Sequence, residues 1–148
     1  VKRRVSNSLP EFGKNMDKLS QEISKGMDEV YRRAFLSVGK TVVNATPFDT
    51  HRAKGNWQPS LSRPITRPRV NTFGAGASIG DMKRIASILK HPITAYISNN
   101  LDYIGLLNGG SSQQAPAGFV QISVNAGLRS IRDARVLGRR VSVSVSQR

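Results

Sequence analysis

The amino-acid sequence predicts an α+β domain: a long N-terminal amphipathic helix packed on a small, mostly antiparallel sheet, with additional helices and extended arms. Three observations predict it. Phe12, Met16, Leu19, Ile23, Met27, Val30, Ala34, Val38, Val42 and Ala45 recur at steps of three or four. That draws one apolar stripe along a helix of about thirty residues. Short alternating runs, such as Ile93, Ala95 and Ile97 against Thr94, Tyr96 and Ser98, read as strands. Prolines and glycines punctuate the chain between these runs. With 148 residues, one domain is expected, large enough to bury roughly 68–70% of its extended surface. The boundaries read as a basic arm over 1–11, a single domain over 12–137, and a basic C-terminal arm over 138–148.

The helix carries Lys14, Lys18, Lys25, Arg32, Arg33 and Lys40 opposite its stripe. Gly13, Gly26 and Gly39 each weaken it by about 1 kcal/mol relative to alanine, so a bend is expected. Thr46-Pro47 ends it, because proline disfavours helical geometry in the residue before it. A helix this long needs a long surface to lie on, either a sheet or another subunit. The stripe drifts at about 3.6 residues per turn, which argues against a coiled coil.

After the helix, Asp49 and Thr50 suit a compact side-chain-bonded turn. A strand is expected over 53–61, carrying Trp57, the single tryptophan. Residues 59–80, rich in proline and glycine, read as a long loop of the kind that usually serves a function. Asp81 is placed to cap a helix with Met82, Ile85, Ala86 and Leu89 on one face, ending before Pro92. A strand over 93–98 leads to a turn at Asn99-Asn100. A short apolar segment over 101–108 is closed by Gly109-Gly110, and 111–114 is polar loop. From 117 to about 137 the pattern fits either strand or helix. The helix is favoured, because Pro116 suits a first helical turn and twenty residues is long for a strand. Arg129, Arg132, Arg135 and Arg139 would then share one side of its end, where cations suit the helix dipole. Val141, Val143 and Val145 alternate with serines as a terminal strand that would need pairing, within the fold or on a neighbouring chain.

Lys and Arg number 23 against nine Asp and Glu, a net charge of +14. The excess lies in the first third, in the 49–80 stretch and in the last twenty residues, and no glutamate follows Glu29. Such a chain self-repels unless something negative is near: nucleic acid, an acidic protein surface or an anionic membrane. The alternative is a charge that serves solubility alone. The candidate contacts to DNA or an acidic partner are Arg63, Arg67, Arg69, Arg129, Arg132, Arg135, Arg139 and Arg140. No apolar run reaches the roughly 18–20 residues that span a bilayer, so no membrane partner is expected. Val1-Lys2-Arg3-Arg4 lacks the apolar stretch of a signal peptide.

The catalytic inventory is poor, and no enzyme is expected. The absence of cysteine excludes disulfides, a thiolate nucleophile and thiolate zinc sites. His51 and His91 have no partner at metal-ligand spacing and read as surface or capping residues, so no metal or cofactor is expected. Beyond Glu29 the carboxylates are Asp49, Asp81, Asp102 and Asp133, of which the first two already have turn or cap explanations. A nuclease would want carboxylates near the phosphates for magnesium. Gly74-Ala75-Gly76-Ala77-Ser78-Ile79-Gly80 lacks the Gly-Lys-Ser/Thr ending of a phosphate loop and reads as flexible loop. No helix-turn-helix, zinc-finger or RNP pattern occurs, so DNA contact would be to phosphates, without sequence preference.

Three segments in order carry a resemblance. They are Thr46-Pro47-Phe48-Asp49-Thr50-His51-Arg52-Ala53-Lys54-Gly55-Asn56-Trp57, Ile97-Ser98-Asn99-Asn100-Leu101-Asp102-Tyr103-Ile104, and Asn108-Gly109-Gly110-Ser111-Ser112-Gln113-Gln114-Ala115-Pro116-Ala117-Gly118-Phe119. Together with the preceding long helix, they resemble the minor tail or tail-completion proteins of lambda-like tailed bacteriophages, over about residues 12–128. The chain departs from that pattern at His51, Asp102 and Phe119, where the family usually has glycine, proline and methionine. The resemblance implies a structural virion protein of the head–tail junction. It would be a homo-oligomeric ring, a hexamer, that ends the tail tube and docks it onto the head connector. Its partners would be the tail tube protein, the neck proteins and, without sequence preference, DNA in the lumen. It would reside in the virion, and in the host cytoplasm during assembly. The motif positions Thr46, Pro47, Asp49, Thr50, Arg52, Trp57, Asn99, Asn100, Tyr103, Gly109, Ser111, Pro116 and Gly118 read as architectural. The alternative is a basic, non-sequence-specific nucleic-acid-binding protein.

Overall fold

The computed structural model describes residues 9–48, 51–70, 74–136 and 138–140. It is an α+β structure organised along one helix, α1 (Leu9–Ala45). In chain order follow α2 (Arg52–Gly55), β1 (Gln58–Leu61), α3 (Ala75–Ile88), β2 (Ala95–Ser98), α4 (Ile104–Asn108), α5 (Phe119–Arg132), β3 (Arg135–Val136) and β4 (Arg139–Arg140). β1 and β2 pair antiparallel, with Gln58 opposite Ser98 and Leu61 opposite Ala95. β3 and β4 form a second, minimal antiparallel pair.

Helix α1 begins at Leu9, inside the expected arm, with Pro10 in the first turn, where its missing N–H is no loss. It is continuous through Gly13, Gly26 and Gly39. The last two admit close neighbours. A Cβ on Gly39 would stand 2.8 Å from Met82 Sδ, and one on Gly26 would stand 2.7 Å from the Val136 side chain.

Helices α3 and α5 cover the C-terminal two thirds of the α1 stripe. Along α5, Phe119, Ser123, Gly127 and Ile131 are buried at steps of four. Gly127 meets Ala34 and Val38, and farther on Val136 meets Gly26, so α5 runs antiparallel to α1. The core joins Phe35, Val42 and Val43 of α1 to Trp57, to Met82, Ile85, Ala86 and Leu89, and to Ala115 and Phe119. Val30, Ala34 and Ile131 form a smaller cluster beside it. One turn of α1 also grips the connection from α3 to β2. The Asp28 carboxylate accepts the His91 backbone N–H at 2.9 Å and lies 2.6 Å from its ring Nδ1. Tyr31 donates its hydroxyl to the Ile93 carbonyl and accepts the Ala95 N–H. Arg32 Nε donates to the Leu89 carbonyl at the end of α3. These residues, at i, i+3 and i+4, share one helix face.

Four expectations need correction. Residues 53–55 are helical rather than extended: His51 adopts φ 55°, in the region glycine favours, and α2 winds from it. The strand is therefore shortened to Gln58–Leu61. The expected loop at 59–80 ends early, since residues 75–80 open α3. Alanines favour the helix, and Ala75 and Ile79 pack against the core one turn before Met82 and Ile85, which outweighs Gly76 and Gly80 on the exposed side. Asp81 thus lies inside a helix rather than capping one. The last helix starts at Phe119, after Gly118 at φ 76° rather than at Pro116, and stops at Arg132. Arg139 and Arg140 then belong to β4, not to that helix or to a free arm. The expected strand at 141–145 and the turn residues Asp49 and Thr50 lie outside the described residues.

The Gly127 contact gives a direct test. A Cβ there would stand 2.1 Å from Val38 Cγ2 and 3.3 Å from the Ala34 carbonyl oxygen. Valine is stiff about χ1 and cannot yield as the Met82 thioether can. Gly127→Ala should destabilise the fold by about 1–3 kcal/mol despite its better helix propensity, whereas Gly39→Ala should be near neutral. Urea unfolding monitored by circular dichroism compares the two.

Candidate functional site

The three motif segments converge on Trp57. Its indole N–H donates to Thr46 Oγ1 at 2.8 Å. Thr46, buried at the exit of α1, donates its own hydroxyl proton to the Val42 carbonyl at 2.6 Å. One hydroxyl therefore closes the helix and orients the indole, and buried Pro47 prevents the helix from continuing. Arg52 is exposed, but its carbonyl accepts the Asn56 Nδ2–H at 2.9 Å. Exposed Phe48 packs edge-on against the His51 ring and lies beneath the Lys54 ammonium.

Amide side chains then fasten the segment after β1. Asn56 is fully buried and accepts the Arg69 backbone N–H at 2.6 Å. Gln58 Nε2 donates to the Arg67 carbonyl, and Asn100 Nδ2 to the Ile65 carbonyl, both at 2.8 Å. Asn99 donates to the Ala53 carbonyl at 3.0 Å and accepts the Leu101 N–H. An amide presents both a donor and an acceptor, so it can satisfy the backbone of a segment that has no strand partner. What reads as a glycine- and proline-rich loop is held in place over residues 62–70.

The third segment builds the start of α5. The Tyr103 carbonyl accepts the Leu107 N–H at the start of α4. Gly109 closes that helix, and the Ser111 N–H bonds back to the Leu106 carbonyl. Asn108 accepts the Gly118 N–H at its carbonyl (2.6 Å) and the Val120 N–H at its side chain (3.0 Å), capping α5 from outside. Gln114 accepts the Phe48 N–H at 2.8 Å and ties this segment to the first. Pro116 is exposed ahead of the helix.

The arginines divide. Arg63 and Arg67 are exposed on the clamped loop. Arg69 is not free: it is half-buried against the Asp81 carboxylate, which also meets Arg84 at 3.3 Å. Burial pulls the Asp81 carboxyl upward, but the hydrogen bond and charge of Arg69, then those of Arg84, hold it below its ordinary pKa. At the other flank of α1, Arg129, Arg132 and Arg135 are exposed at the end of α5 and in β3. An open groove of about 430 Å³ runs along the outer face of α5, lined among the described residues by Ile122, Asn125, Leu128, Arg129 and Arg132. Arg63 and Arg67 belong to the loop between β1 and α3, whereas Arg129 and Arg132 belong to α5. Arg139 and Arg140 occupy β4.

Among the described residues no three His, Cys, Asp or Glu side chains gather as for a metal ion, and no helix is long and apolar enough to cross a membrane. The most exposed feature is α1 itself. Every residue from 10 to 23 is exposed. Phe12, Met16, Leu19 and Ile23 are 56%, 48%, 41% and 38% exposed, a row of large apolar side chains left open among the described residues. The sequence displays this stripe and leaves its covering surface open between a sheet and another subunit. Sequence reasoning missed Asn56, Gln58, Asn108 and Gln114, whose partners lie far away in sequence. The only local signal was a buried-type neighbourhood, as with Asn56 beside Trp57.

Two outcomes check the site. Asp81→Asn should cost about 1–3 kcal/mol by leaving Arg69 half-buried and unpaired. Because the folded-state pKa of Asp81 is lowered, the stabilisation is complete above the ordinary carboxylate value and disappears as pH falls through the folded one. Wild type and variant should therefore converge in stability in strong acid, as followed by urea midpoints across pH. Asn100→Ala should release residues 62–70 and speed tryptic cleavage of the Arg69–Val70 bond, since Arg63 and Arg67 precede prolines and resist trypsin, with little change in overall helicity. Comparison of the chain with protein-family models, with curated proteins and with solved structures finds no match, so its functional reading rests on its own motifs and geometry.

Proposed function

We propose that this chain is a structural protein of a tailed bacteriophage, a tail-completion or tail-terminator ring at the head–tail interface, built from copies of itself and seated between the tail tube and the neck. The observation that carries this reading is the bare stripe of Phe12, Met16, Leu19 and Ile23 on α1. An apolar row on a projecting helix is a surface made to be covered by a neighbour. The motif residues support the same reading. Thr46, Trp57, Asn99, Asn100 and Gly118 hold backbone and helix ends in place, as in a part whose task is to keep a shape. The exposed arginines suit acidic neighbours, or phosphates passing through a lumen.

Those arginines also favour the second reading, a basic protein that binds nucleic acid without sequence preference. The two readings part in one comparison. Immunogold labelling or image reconstruction of particles should place the chain as a ring at the neck, and particles lacking it should contain filled heads and unjoined tails. Absence from assembled particles, together with DNA binding by the isolated chain that weakens steeply with salt, would establish the second reading instead.

A further inference from the structure

We infer that Phe48 and His51, with Arg52 beside them, form a stacking site for a base of single-stranded nucleic acid. The rings themselves carry this. Phe48 is 54% exposed and His51 is exposed. They meet edge-on, with centroids 4.0 Å apart and planes at 63°. Two rings set at that angle make an open corner, in which a flat base can lie on one ring and point its edge at the other. Neither ring is committed inside the fold. Phe48 belongs to neither apolar cluster of the core, and the His51 imidazole makes no hydrogen bond or ion pair among the described residues.

The backbone beneath the rings, by contrast, is fully engaged. The Phe48 N–H donates to Gln114 Oε1 at 2.8 Å, and the Phe48 carbonyl accepts the His51 N–H at 3.2 Å. The His51 carbonyl accepts the N–H groups of Gly55 and Gly74 at 3.2 and 2.9 Å. The corner is therefore preformed, and a ligand need not order it. His51 also holds φ 55°, a conformation that glycine adopts without strain and histidine does not. The chain thus keeps a ring where the backbone alone favours none, and presents that ring to solvent.

The cations select the partner. Half-buried Lys54 donates to the Asn44 carbonyl at 3.1 Å and holds its ammonium 5.5 Å from the centre of the Phe48 ring. That steadies the ring and adds positive charge to the corner. Arg52 is exposed and pairs with no carboxylate among the described residues. Uncovered rings beside a free guanidinium, on a chain with a net charge of +14, fit a ligand with flat apolar faces and an anionic backbone. A base inside a duplex has both faces stacked, so the strand must be single. The inference goes beyond the proposed ring and does not depend on it.

The test uses the full chain and the fluorescence anisotropy of a labelled oligothymidine of about twenty nucleotides, beside a duplex of equal length, across salt concentrations. Wild type should prefer the single strand. A surface acting by charge alone would prefer the duplex, whose phosphates are more densely spaced. Phe48→Leu should weaken single-strand binding by about tenfold without changing its salt dependence, whereas Phe48→Trp should retain it. Arg52→Gln should make the slope of log K against log salt shallower by about 0.7, one phosphate contact. His51→Asn removes the ring but tolerates the same backbone conformation, so binding should weaken while the urea midpoint stays unchanged. Arg63→Gln with Arg67→Gln should leave the preference for single strands intact. Equal or tighter binding of the duplex by wild type overturns the inference. So does wild-type binding of the single strand by Phe48→Leu or His51→Asn. A lowered urea midpoint in His51→Asn would mark the ring as a packing group and also overturns it. Aromatic variants that bind the strand normally but fail to enter particles make the corner a protein contact, which overturns this site and keeps the ring reading. Preferential single-strand binding by a chain absent from the particle neck overturns the ring reading and leaves the site standing.

Discussion

Everything in this structure is arranged around an apolar stripe longer than the fold can cover. Helix α1 has 37 residues and spans about 55 Å. Among the described residues the rest of the chain supplies two helices of fourteen residues to lie against it, and the β1–β2 sheet packs on α3 behind them. They bury its length from about Val30 onward and leave the beginning bare. The covered part is tight. Helix α5 approaches so closely that only glycine fits at 127, and the core gathers around Met82, Leu89, Trp57 and Phe119. Close packing of that kind makes one half of α1 a rigid base from which the other half projects.

The polar groups serve the same end. Apolar layers give non-directional adhesion, whereas a proline-rich segment with no strand partner still has backbone groups to satisfy. Asn56, Gln58 and Asn100 satisfy them one amide at a time. Asp28, Tyr31 and Arg32 do likewise for the connection between α3 and β2. The ion pair of Arg69 and Asp81 anchors the far end of the clamped loop to α3. In a chain with a net charge of +14, these few buried or half-buried carboxylates are valuable, because each offsets local repulsion where the chain must stay compact.

Several features were legible from residue order. The stripe of α1, the stop at Thr46-Pro47, the pairing-competent run ending in Ile97-Ser98 and the helix before Pro92 all depend on short-range periodicity or on backbone sterics, which sequence displays directly. Other features were not. Residues 75–80 look like loop because glycine is a poor helix former, yet packing of Ala75 and Ile79 against the core overrides that weak preference. His51 takes a left-handed conformation that histidine rarely adopts, and the surrounding bonds from Gly55 and Gly74 to its carbonyl hold it there. The candidate site was half visible. Trp57, Asn99 and Asn100 stood out within their motifs, but Asn56, Asn108 and Gln114 acquire their roles from partners brought near only by folding.

Sequence by itself determined the α+β class, the long amphipathic helix and the excess of cations, since each follows from composition or from spacing along the chain. Tertiary structure decided which part of the stripe is core and which is open surface, that Arg69 is committed to Asp81 while Arg129 and Arg132 meet no carboxylate among the described residues, and that α5 must carry glycine at 127. Those outcomes depend on which surfaces meet and how closely. That is a property of distances between residues far apart in the chain, and no periodicity records it.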